Sequence, residues 1–195
     1  MPRKPLLTIL TRVYARPAGL NRCKTSLEVQ TDQNFEQVII EDTQGRGLHW
    51  ANQQIAEAED KINGQWVYVL DDDDFLICET FIADFKKYIK KNKVSSNDIV
   101  FVKGWILEQE MPCNWENETM IRGKIAAPNF IVSKELFKKY CSYWNVWRAG
   151  DYNFIRRASM NCDKMFWWNK FIFYADPSIG KTEELKNELR LQAYV

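Results

Sequence analysis

The chain has 195 residues, and its 27 Lys and Arg against 26 Asp and Glu leave a formal net charge of +1, which provides no field for nonspecific nucleic-acid binding. That length suits one domain with a real core. Five scattered cysteines, none spaced as C-x-x-C, and a single histidine, His49, exclude a disulfide framework, a His-rich zinc site and any nucleophile relay not built on His49. A reducing, cytoplasmic setting is expected. The apolar run after Pro5 is too short for a signal peptide or a membrane span, so a soluble protein is expected.

In chain order, residues 6–10 (L-L-T-I-L) read as a buried first strand, ended by the turn-forming Arg16-Pro17-Ala18-Gly19, with a helix over 20–30. Residues 35–40 form a second short strand running into the acidic, polar turn 41–45. Residues 51–61 have helical composition, Asn63-Gly64 supplies a stop, and 65–70 form a third strand. Such alternation predicts an α/β fold with a parallel-type sheet, in which ligands collect at the carboxyl ends of the strands. Those ends carry Thr11 and Arg12, then Glu41 and Asp42, then four consecutive aspartates. An amphipathic helix over 79–91, a strand over 99–102, a strand-like stretch over 126–132 and a helix over 134–141 follow. The aromatic stretch 143–147 leads to Asp151, which opens a helix through Arg157; its residue type and place also suit an N-cap.

The run Asp71-Asp72-Asp73-Asp74, directly behind the third strand, holds the most chemistry. Like charges about 4 Å apart repel by roughly 1 kcal/mol in water and roughly 4 kcal/mol at a protein-surface dielectric. Nothing basic lies within several residues, which makes a divalent cation the natural relief. Alternation along an extended chain predicts Asp71 and Asp73 on one side and Asp72 and Asp74 on the other. A solvated acidic turn is the plainer reading. An EF-hand is excluded, because the sixth position from Asp71 is Leu76 and the twelfth is Ile82.

These segments, in this order, resemble a family 2-type glycosyltransferase of the GT-A fold. Leu10-Thr11-Arg12-Val13-Tyr14-Ala15-Arg16-Pro17 resembles the exit from the family's first strand, with Ala15 where Asn is usual. Ile39-Ile40-Glu41-Asp42 resembles its second-strand acidic pair. Trp50-Ala51-Asn52-Gln53-Gln54-Ile55 resembles the A-R-N-x-G-I helix, with Ala51 for Arg and Gln54 for Gly, and the aspartate run resembles the D-x-D motif. Ala149-Gly150-Asp151 resembles the late acidic motif of inverting members. The resemblance implies a Rossmann-like, mixed and mostly parallel sheet flanked by helices. It also implies a metal-dependent, inverting hexosyltransferase-like enzyme that moves a sugar from a nucleoside-diphosphate sugar, UDP-sugar by preference, to an acceptor hydroxyl. Thr11, Arg12, Tyr14, Asp42, Asn52, Asp71 and Asp72 would bind the donor, with Asp42 at the base and Asp72 at the ribose. Asp71 and Asp73 would hold Mn2+ or Mg2+, Asp73 most directly, and Asp151 would be the catalytic base. Trp115, Trp144 and Trp147 could stack on an acceptor sugar, although core packing accounts for most rings of their type. The implied organisation is one domain over 1–195, with a nucleotide-sugar half to about residue 103, an acceptor and catalytic half over about 104–175, and a helical tail over 176–195.

The implied enzyme departs from many GT-A members in lacking a histidine in its C-terminal part. Other readings remain. Residues 175–182, between a strand-like 171–174 and a helical tail, fit a permissive phosphate-binding loop, but Ala175 replaces its first glycine and only thirteen residues follow Thr182. A sugar nucleotidylyltransferase would need a glycine-rich signature after the first strand, where residues 12–19 hold only Gly19, and a non-catalytic carbohydrate- or nucleotide-sugar-binding protein would keep the pocket without the turnover.

Overall fold

The structure, a computed structural model, describes residues 4–179. The first apolar run forms β1 (Leu7–Val13), which is covered on both faces, as a nearly unbroken apolar sequence requires. It pairs in parallel with β2 (Phe35–Glu41) on one side and β3 (Trp66–Val69) on the other. The crossovers are α1 (Pro17–Glu28), with Pro17 at the helix start where a missing N–H costs nothing, and α2 (Gly47–Ala56). A short strand, β4 (Asp74–Leu76), leaves the aspartate run and leads into α3 (Phe81–Asn92). β5 (Ile99–Ile106), β6 (Gln109–Met111), β7 (Phe130–Ser133), α4 (Lys134–Tyr140), α5 (Gly150–Ser159) and β8 (Met165–Ala175) complete the described chain.

The sheet runs in the order β2-β1-β3-β7-β5-β8-β4, with β6 paired to β5. β2, β1, β3, β5 and β8 point one way, whereas β7 and β4 run against them. The architecture is therefore mixed α/β with a mainly parallel sheet, as the sequence predicted. Each face has its own core. Leu10, Ile55, Val67, Phe101, Phe130 and Phe154 pack on the face carrying α2, α4 and α5, while Ile9, Cys23, Tyr68, Phe81 and Phe85 pack on the face carrying α1 and α3.

Several boundaries differ from the sequence prediction. The helix placed over 51–61 starts at Gly47 and breaks after Ala56, and Ala58–Lys61 is a separate 3-10 turn. The strand placed over 126–132 begins only at Phe130, because Ala127–Asn129 is a 3-10 turn fastened by the Asn129 side chain accepting from Ala126 N–H at 2.9 Å. β8 is much longer than the predicted 171–174, and β4 and β6 were not foreseen. The tail predicted over 176–195 shows a turn at its start, and its remainder, with Gly180, Lys181 and Thr182 of the phosphate-loop reading, lies outside the described residues. Among the described residues, no helix is long and apolar enough to cross a membrane.

Phe101 is fully buried at the centre of β5 and stacks on Trp167 at 4.4 Å. Phe101→Ala is expected to cost about 3–5 kcal/mol. Urea denaturation should show this as a lower midpoint with an unchanged slope.

Candidate active site

The carboxyl ends of β1, β2 and β3 meet the N-terminal turn of α2 around a cleft of about 320 Å³. Arg12 and Tyr14, Ile40 and Asp42, Leu48 and Trp50, and Asp71, Asp72 and Asp73 all line it. A second recess of about 300 Å³ adjoins it, sharing Arg12 and Leu48 and adding Asn52, Gly123, Ile125 and Asp151. The acidic run and the late aspartate thus face two compartments with a common wall.

The aspartate run is not extended. Asp74 N–H donates to the Asp71 carbonyl at 3.1 Å, and Asp71 N–H donates to the Asp74 carboxylate at 2.9 Å, which closes a turn. This overturns the predicted alternation: Asp71, Asp73 and Asp74 each bring a carboxylate oxygen to within 4.8 Å of the others. Asp72 stands apart and accepts from Tyr14 N–H at 2.9 Å and from Arg16 at 3.1 Å. The turn rests on the end of β1 through Asp72 N–H and the Arg12 carbonyl at 3.1 Å. On its other side it rests on Gly19 of α1, where any Cβ would collide with the Asp72 carbonyl oxygen.

The relief of repulsion also differs from expectation. Basic groups distant in sequence reach the run: Arg12 grips both carboxylate oxygens of Asp71, with Nε to Oδ1 at 2.7 Å, and Arg16 bridges Asp72 and Asp73 at 3.1 and 2.7 Å. Burial works to lower the Arg12 pKa, but Asp71 above all, with Asp151 and Asp74 adding to it, holds it above its ordinary value and keeps the guanidinium charged. Burial raises the Asp72 carboxyl to about 6 against the opposing pull of Tyr14 N–H and Arg16. Asp73 and Asp74 are raised as well, by burial first and then by neighbouring carboxylates.

Asp151 lies in the first turn of α5, but Ala149 is the residue at the N-cap. Its carboxylate accepts from Tyr152 N–H at 2.8 Å and lines the recess. Burial raises its pKa while Tyr152 N–H and Arg12 oppose the rise. Asp42 lines the cleft with its carboxylate folded onto its own loop, accepting from Gln44 and Gly47 N–H at 3.0 and 3.2 Å. Burial would raise its pKa, and those amides with Arg46 outweigh it and lower it. Tyr14 is 54% exposed at the cleft mouth.

Thr11 is a correction. Residues alternate along β1, so Thr11 shares a face with Leu7 and Ile9, where it is fully buried and accepts from the Gln37 amide at 2.9 Å; Arg12, the next residue, lines the cleft and Thr11 does not. Trp144 is a second correction. It is fully buried between Phe130 and Phe154, so it offers no face to a sugar. Trp115 meets Trp167 edge-on at 5.2 Å beneath the Lys103 ammonium and lines neither compartment. Trp147 is 76% exposed and stacks on His49 at 4.6 Å with 14° between planes. The sequence reading missed Arg16, Asp74 and Leu48 as site residues. For Arg16 and Asp74 a signal existed, since both belong to the quoted motifs; an exposed leucine on a helix gives none.

No protein-family model matches the sequence, and no characterised protein matches it significantly. Solved structures do share its fold. TarS 1–349 from S. aureus, in complex with UDP, matches with a TM-score of 0.63 and 17% identity over 87% of this chain and 60% of that one. The mannosyltransferase PcManGT from Pyrobaculum calidifontis, in complex with GDP-Man and Mn2+, matches with a TM-score of 0.62 and 11% identity over 98% and 61%. A glycosyltransferase involved in the glycosylation of the major capsid of PBCV-1 matches with a TM-score of 0.54 and 12% identity over 96% and 100%. The fold is a GT-A-like glycosyltransferase fold. The chain spans about three fifths of the TarS and PcManGT structures.

Gly150 permits α5 to start against Trp144, since a Cβ there would lie 2.6 Å from both the indole Cδ1 and the Trp144 carbonyl oxygen. Gly150→Ala is therefore expected to destabilise the protein by about 1–3 kcal/mol through overpacking, read as a lower Tm in thermal denaturation.

Proposed function

We propose that the protein transfers a sugar from a nucleoside-diphosphate sugar, a UDP-sugar by preference, to an acceptor hydroxyl with inversion at the anomeric carbon. The supporting observation is the adjacency of two compartments, one walled by the acidic turn and the other by Asp151, with Arg12 and Leu48 common to both. UDP and UDP-GlcNAc are bound in TarS structures and GDP-Man in PcManGT, which supports a nucleotide-sugar donor for this fold.

In this reading the nucleoside lies in the larger cleft, with Tyr14 and Asp42 at its base end and Asp72 toward the ribose. Asp71, Asp73 and Asp74 suit a hard cation such as Mn2+ or Mg2+: all three offer carboxylate oxygen, and their oxygens already converge. When bound, such an ion offsets charge on the departing diphosphate as a Lewis acid. Arg16 lines the same cleft and brings a further positive charge beside Asp73. Arg12 is occupied by Asp71 and Asn52, so it orders the wall between donor and acceptor.

The acceptor hydroxyl enters the second recess, where Asp151 takes its proton as the oxygen attacks. Burial makes this carboxylate more basic than an exposed one, which suits a general base. Trp147 lines neither compartment but presents a largely open ring stacked on His49, the neighbour of Leu48 on α2, and is the remaining candidate for stacking on the acceptor sugar.

Calorimetry with UDP and Mn2+ tests the donor half: wild type should bind with metal dependence, and Asp73→Ala should lose most of that dependence. Equal, metal-independent affinity in both would overturn it. For the acceptor half, Asp151→Asn should keep UDP affinity while turnover of an accepted donor and acceptor pair falls about 10²-fold or more. Unchanged turnover would remove Asp151 from the reaction.

A further inference from the structure

Asp151 is only as well placed as the loop in front of it. Residues 145–149 join the 3-10 turn Cys141–Trp144 to α5 and end at Ala149, which takes the left-handed conformation at φ +54. The Ala149 carbonyl accepts from both the backbone and the side-chain amide of Asn153, at 3.0 and 2.9 Å, which locks the loop to the helix that carries Asp151.

The other end of this loop is held from α2. Asn52, buried on that helix, donates its side-chain amide to the Val146 carbonyl at 2.8 Å, and His49 one turn earlier stacks on Trp147. The Asn52 Oδ1 accepts from Arg12 Nη1 at 2.9 Å. A guanidinium has no acceptor, so Asn52 must face it with oxygen and face the loop with its NH2; the chemistry fixes the orientation of the amide. Arg12 in turn closes a two-pronged contact on Asp71 with its remaining nitrogens. A planar guanidinium with its edges engaged on two sides moves as a rigid plate.

We propose that Asp71, Arg12, Asn52 and the Val146 carbonyl form a relay through which the acidic turn sets the position of the loop before Asp151. Arg12 and Asn52 are then positioning residues that tie the donor compartment to the acceptor compartment. This rests on the transferase reading for its catalytic meaning, but the mechanical link stands on hydrogen bonds alone. It also gives Asn52 a different part from donor contact: both ends of its amide are already used within the protein.

The relay can be cut at either end without changing side-chain shape. Asn52→Asp keeps an acceptor toward Arg12 and replaces the loop-facing donor with an oxygen that the Val146 carbonyl repels. Asp71→Asn places a neutral amide against Arg12. Hydrogen exchange followed by mass spectrometry should show amides in 145–150 exchanging at least about tenfold faster in each variant, and unchanged in Asp73→Asn, which lies outside the relay. In turnover, Asn52→Asp should lower kcat about tenfold or more with donor KM within about twofold of wild type. Wild-type loop exchange in Asp71→Asn would overturn the relay, as would a donor KM in Asn52→Asp that rises in step with the loss of kcat. Linked exchange in a protein that turns over no nucleotide sugar would keep the relay and remove the transferase reading instead.

Discussion

The structure around the cleft depends on the compensation of buried negative charge by Arg12 and Arg16. Four consecutive carboxylates at the end of β3 could not share a tight turn in a partly buried place without opposite charge within contact distance. β1 and the turn that follows it provide Arg12 and Arg16, because β1 lies between β2 and β3 and its carboxyl end reaches the same rim. The geometry of the sheet is thus what makes the acidic turn tolerable, and the turn in turn anchors the exit of β1 through Asp72 and Tyr14.

That dependence explains which parts of the fold were legible in the sequence. β1 and β3 announced themselves because central parallel strands must be apolar on both faces, β2 at the sheet edge showed only as the short apolar run Val38-Ile39-Ile40, and the punctuation at Pro17, Gly19 and Asn63-Gly64 is local chemistry. The alternation expected along the aspartates failed because it assumes that the strand continues, whereas the run is where the chain leaves the sheet and hydrogen-bonds to itself. The pairing of Arg12 and Arg16 with the run escaped notice for a related reason. Arg12 and Asp71 are 59 positions apart, and only the pairing of β1 with β3 makes them neighbours.

The aromatic residues mark the limit of reading by residue type. Trp144 and Trp147 stand three positions apart in one stretch, yet one is sealed between Phe130 and Phe154 while the other lies open against His49. Nothing in a tryptophan's own chemistry separates these fates. The neighbouring glycine did hold a clue, since Gly150 exists where it does because the Trp144 indole and carbonyl occupy the space that a side chain would need. Thr11 makes the same point in a strand: one step along β1 separates a residue of the cleft from one facing α1.

Leu48 belongs to both compartments and is 55% exposed where they meet, beside Arg12. A partition that thin means the two chambers do not have independent dimensions. Whatever widens the room on one side thins the wall of the other, so selectivity for the two partners of the proposed reaction would have to change together. Such a scaffold would change its two partners as a pair rather than one at a time, because Leu48 and Arg12 bound both rooms.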